Sequence, residues 1–139
     1  MTQSDSTNIR IYRFLAAIMI FVAIGAIPAG LMFILAPDGS LMGMSTDFLD
    51  NSIFTTFLIP GLFLFAINGI TGLVCGIFVW RQHHLSYLMG TGLGLFLIAW
   101  IIIQILIIGF SPLLQITFLL VGLIELGLSL QLYRYQLVR

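Results

Sequence analysis

Between Gln82 and Ile124 the chain runs for 43 residues without an Asp, Glu, Lys or Arg. A helix crosses the hydrocarbon core of a bilayer with about 20 apolar residues, so this stretch holds two spans. The sequence Gly109-Phe110-Ser111-Pro112 supplies the break, because glycine ends one helix and proline opens the next. Two further charge-free stretches precede it, Phe14–Ala36 with 23 residues and Asn51–Trp80 with 30. Composition agrees: 60% of the 139 residues are hydrophobic and 7% are charged, against about 25% charged in a soluble domain. This excludes a water-soluble globular domain and a disordered chain. It also excludes nucleic acid as a partner, since no basic patch exists to neutralise phosphates.

The expected fold is therefore all-α: an integral membrane four-helix transmembrane bundle forming one domain, residues 1–139. Its spans fall at about 14–36, 56–80, 86–108 and 113–133, with an outer loop at 37–52. Residues 1–9 read as a mobile polar tail, and Pro28 as a kink in the first span. The first span is too long for a signal-peptide core of about 7–15 residues and reads as a retained helix. Short turns at Arg81-Gln82-His83-His84 and at 109–112 predict that spans two, three and four pack as antiparallel neighbours. Phe48-Leu49 and Ile53-Phe54 suggest a stretch lying on the outer membrane surface, with the second helix beginning properly near Pro60-Gly61.

Orientation follows from charge. With four spans, the N-terminus, the second loop and the C-terminus share one side, and these segments hold Arg10, Arg13, Arg81, Arg134 and Arg139, all five basic residues. The opposite side holds Asp38, Asp47 and Asp50. Basic residues stay on the cytoplasmic face, so both termini are expected in the cytoplasm of a multi-pass inner-membrane protein.

Helices in lipid associate through small residues and polar contacts. Gly72/Gly76, Gly90/Gly94, Gly25/Ala29 and Ala26/Gly30 provide small residues at four-residue spacing, read first as close helix packing. Seams with steps of four and three residues run through Gly61, Phe65, Asn68, Gly72 and Cys75; through Gly90, Gly94, Leu97, Ile101 and Gln104; and through Gln115, Phe118, Gly122, Glu125 and Ser129. Residues at that spacing share a face, so the polar ones point into the bundle. Thr71 and Trp100 flank their seams. At a rise of about 1.5 Å per residue, two polar layers emerge. Glu125, Thr71, Asn68 and Trp100 lie near the midplane, at depths of about 13, 15, 19 and 20 Å from the arginine side. Gln104 and Gln115 lie nearer the outside, at about 25 and 28 Å, and are expected to pair.

Glu125 is the one acidic residue inside a span, and no basic residue lies within the membrane to meet it. An ionised carboxylate there costs several kcal/mol, and such residues default to a functional hypothesis. Two readings stand. Either Glu125 carries its proton and hydrogen-bonds Asn68 or a backbone carbonyl, or it faces a cavity filled by water or ligand. Trp100 at mid-depth, away from its usual place at the interface, reads as a pocket wall or a core residue with a bonded N–H. Cys75 reads as a small buried residue. His83 and His84 are adjacent, which suits neither a metal nor haem, and the spacing of Asp38, Asp47 and Asp50 matches no calcium loop. No metal site or cofactor is expected.

The stretch Ala29-Gly30-Leu31-Met32-Phe33-Ile34-Leu35-Ala36-Pro37-Asp38-Gly39, and Phe57-Leu58-Ile59-Pro60-Gly61-Leu62 opening a glycine-rich span, resemble DoxX-like small bacterial membrane proteins. The resemblance covers the first half of the chain and rests on Gly/Pro turn patterns. It implies four spans, cytoplasmic ends and a bacterial inner-membrane setting, and it carries no functional residue with it.

The expected function is binding of a small apolar molecule or lipid at an intramembrane polar site. In it Glu125 is donor or proton acceptor, Asn68 its orienting partner and Trp100 a wall, with Thr71 beside them and Gln104 and Gln115 at the outer mouth. The alternatives are an accessory or self-associating subunit that binds a membrane protein or a second copy through its glycine faces, and an intramembrane acid/base enzyme.

Overall fold

A computed structural model describes residues 3–138, and among them every regular element is helical. Helix α1 (Gln3–Leu35) leads to two 3-10 turns, Ser40–Met42 and Thr46–Leu49. The second span is composite: α2 (Leu58–Phe63), a π-helical segment (Leu64–Thr71) and α3 (Gly72–Trp80). Helices α4 (Ser86–Ile108) and α5 (Pro112–Val138) complete the chain. Four helices are thus long and apolar enough to cross a membrane. Within each, only 22–28% of the most apolar stretch is buried, so most of the aliphatic surface faces outward, as a lipid-facing bundle requires.

Several boundaries differ from expectation. The tail expected to be mobile is helical from Gln3, with Asp5 in the first turn, where negative charge meets the positive end of the helix dipole. Helix α1 runs through Pro28 to Leu35. Helix α5 continues past Tyr133 to Val138. The outer loop is anchored to the bundle: Phe57 is buried, stacks on Phe33 with ring centroids 5.0 Å apart, and donates its N–H to the Pro37 carbonyl at 2.8 Å. Leu49 is buried as well, while Phe48 and Ile53 are exposed. Asp38 accepts from the Ser40 hydroxyl at 2.7 Å and from its N–H at 3.0 Å. These bonds, the hydroxyl first, hold the Asp38 carboxyl below the ordinary carboxylate range.

The four spans assemble as two tight pairs. The first and second spans pack together most closely, α4 packs on α5, and contacts between the pairs are sparser. Spans three and four are close neighbours as expected, whereas span two packs mainly on span one and only sparsely on span three. The cause is a row of glycines along the second span. A Cβ at Gly61 would meet Phe33 Cβ at 2.5 Å, one at Gly69 would meet Ile27 Cγ1 at 2.9 Å, and one at Gly76 would meet Ile20 Cγ1 at 2.7 Å. From α1, a Cβ at Gly30 would stand 2.6 Å from the Phe65 nitrogen. Hydrogen in place of a side chain lets two backbones approach. Across the other pair, Gly94 faces the Gly122 carbonyl, and Gly90 gives its space to the Ser129 hydroxyl.

Between the pairs, near the arginine end, Tyr12, Leu15, Ala16, Met19, Val79, Leu93 and Leu132 form the main core cluster. Gln136 braces the same end, donating to the His84 carbonyl at 3.0 Å and to the Tyr12 hydroxyl at 3.4 Å.

Candidate functional site

Glu125 is 2% exposed and Asn68 3% exposed. Both line a void of about 10 Å³ at the junction of the two pairs, together with Met19, Val22, Gly72, Leu93 and Leu97. All four spans contribute to this lining. A void of that size is at the threshold for one water molecule.

Each polar side chain is placed by a local feature. Asn68 sits inside the π-helical segment. Such i→i+5 segments are rare and occur frequently at functional sites. Its Nδ2 is buried and has no hydrogen-bond partner, a state that costs about 1–3 kcal/mol. Glu125 is set by the close crossing of α4 and α5, where a Cβ at Gly94 would come within 3.3 Å of the Glu125 Cβ. One turn on, the Ser129 hydroxyl donates to the Glu125 backbone carbonyl at 2.7 Å. That bond leaves the carboxyl uninvolved, and among the described residues no side chain donates to it. Buried Glu125 and Asn68, the latter with an unpartnered amide N–H, therefore line one water-sized space.

The other expected site residues lie elsewhere. Thr71 is exposed on the outside of the second span and does not line the void. The wider π turn swings it off the Asn68 face. Trp100 is not a wall of the void either. It is half-buried, packs against the Val22–Leu97–Ile101 cluster, and stacks on Phe96 at 6.2 Å between ring centroids. Its Nε1–H is buried without a partner. Gln115 is committed to the turn between α4 and α5: its Oε1 accepts from the Ser111 N–H at 2.7 Å and its Nε2 donates to the Gly109 carbonyl at 3.0 Å. Gln104, half-buried, is left without the expected bond to it. Gly109, at φ 89°, takes a backbone conformation that side chains disfavour, and this brings its carbonyl within reach of Gln115. Gln115→Leu removes both bonds, so unfolding of the purified protein in detergent should show a loss of about 2 kcal/mol, at about 1 kcal/mol each.

The chain matches no protein-family model, no curated protein and no solved structure. The site stands on its geometry alone. Among the described residues no group of three His, Cys, Asp or Glu side chains is arranged to hold a metal. Sequence reasoning missed the apolar half of the lining. Met19 and Val22 belong to α1, for which no seam is marked by a polar residue, and Leu93 lies one position off the α4 seam.

Proposed function

We propose that this is a multi-pass protein of the bacterial inner membrane, with both termini in the cytoplasm, that binds a small apolar molecule or lipid at the junction of its two helix pairs. The polar end of the ligand meets Glu125 and Asn68. Its apolar part lies among Met19, Val22, Leu93 and Leu97. One observation carries the reading: Asn68, whose buried Nδ2 has no partner, and Glu125 line the same void. A buried polar atom without a partner calls for an explanation, and an absent acceptor is a physical one. The void itself accommodates about one water, so a larger ligand enters by parting the pairs, where packing is sparsest.

Native mass spectrometry of protein extracted from its own membrane tests this. Wild type is expected to carry an adduct of discrete mass that Glu125→Gln loses, because an amide offers neither the charge nor the proton of a carboxyl. Identical adducts on both, or none on either, contradict the proposal. The same spectrum addresses a second reading, self-association. Gly25 on α1 has open space where a Cβ would stand and lies four residues before Ala29, a spacing that suits a second helix. A dimer mass without ligand adduct favours that reading.

A further inference from the structure

We propose that the arginine end of the bundle holds one anionic phospholipid, its phosphate on Arg13 and an acyl chain in a groove between α1 and α3. The groove has a volume of about 310 Å³ and is lined by Ile20, Ile77 and Trp80. It lies on the outer surface of the first pair, separate from the void at Glu125. The Arg13 guanidinium carbon stands 5.9 Å from the centre of the Trp80 ring, close enough for attraction between a cation and the ring face. Arg13 is exposed, and among the described residues no carboxylate pairs with it.

The arrangement has the layout of a phospholipid. Trp80 and Arg13 stand where interfacial tryptophan and arginine meet headgroups, and Arg81 follows directly in sequence. Ile20 is seven residues beyond Arg13, about 10 Å further along the helix, so the apolar groove begins where acyl chains begin. The close approach at Gly76, whose Cβ would meet Ile20 at 2.7 Å, closes its floor. Around it Phe21, Ile24, Val74 and Phe78 are exposed, which suits lipid as its surroundings. Charge selects the headgroup. Arg10, Arg13, Arg81 and Arg134 gather at this end, whereas Asp38, Asp47 and Asp50 occupy the other. Basic residues beside a bilayer draw anionic lipids.

The test uses Trp100→Phe protein, in which Trp80 is the one remaining tryptophan, reconstituted in phosphatidylcholine vesicles. A minor fraction of brominated phosphatidylglycerol is expected to quench Trp80 several-fold more than the same fraction of brominated phosphatidylcholine. Arg13→Gln should remove the difference, while quenching by brominated phosphatidylcholine stays unchanged, showing that Trp80 still meets lipid. Arg13→Lys, which keeps the charge, and Arg134→Gln, which removes an equal charge elsewhere, should retain it. Inorganic phosphate, having the charge without the chain, should displace nothing. Equal quenching by the two lipids, equal effects of Arg13→Gln and Arg134→Gln, or displacement by inorganic phosphate each overturns the proposal.

Discussion

Gly30→Leu is expected to abolish the folded protein, and Gly30→Ala to lower its unfolding midpoint clearly. A Cβ at this position would stand 2.6 Å from the Phe65 nitrogen, 2.7 Å from its Cβ and 2.8 Å from its Cα. Two of these atoms are backbone, so no change of rotamer relieves the clash, and the first two spans must separate. Overpacking of this kind costs about 1–3 kcal/mol for added methylenes, and leucine adds more volume than alanine. The effect reaches the site, because Phe65 belongs to the same π-helical segment as Asn68. Gly25→Ala on the same helix is the control: open space surrounds its Cβ position, so its midpoint should match or exceed wild type, alanine being the better helix former. Thermal unfolding of the three detergent-purified proteins, followed by helical circular dichroism, checks the order. Equal midpoints for Gly30→Ala and Gly25→Ala would remove close backbone packing as the basis of the first pair.

Asn68→Leu is the second strong prediction, and its sign is unusual for a buried polar residue. Removing a hydrogen-bonded asparagine destabilises a bundle. Here Nδ2 has no partner, so replacing the amide with an apolar group of similar size relieves a penalty of about 1–3 kcal/mol. The unfolding midpoint should equal or exceed that of ligand-free wild type. A residue retained against stability is the expected mark of a binding site. A midpoint lowered by a similar amount would instead make Asn68 an ordinary interhelical tie.

Much of the architecture was legible in the distribution of ten charges. The third span was expected at 86–108, and α4 is Ser86–Ile108, because Pro112 and the turn at 81–84 bracket it without ambiguity. The pairing of α4 with α5 across the short turn at 109–112 was legible, and that of the first two spans was not. Turn length suggested that neighbours in sequence pack most closely after short loops, whereas the tightest pair is joined by the long loop at 36–57. What decides it is which glycines face which helix, and a count of small residues does not report facing. Glu125 and Asn68 were singled out through depth and polarity, and both line one void. Thr71 and Trp100 lie away from that void, for a physical reason in each case. Seam arithmetic assumes about 3.6 residues per turn throughout, and the π segment breaks that count between Asn68 and Thr71. Trp100 was assigned by its depth and its place one position off the seam, and that offset carries its ring onto the Val22–Leu97–Ile101 cluster. Gln115 was assigned to a partner in the membrane, but the nearer claim came from the strained turn beside it.

The most direct test is the native mass spectrum of Asn68→Leu, recorded on protein shown to unfold no earlier than ligand-free wild type. A bare chain is expected where wild type carries an adduct: a protein at least as stable as the ligand-free wild type, with its ligand gone. An adduct of unchanged mass and abundance on that variant would contradict it.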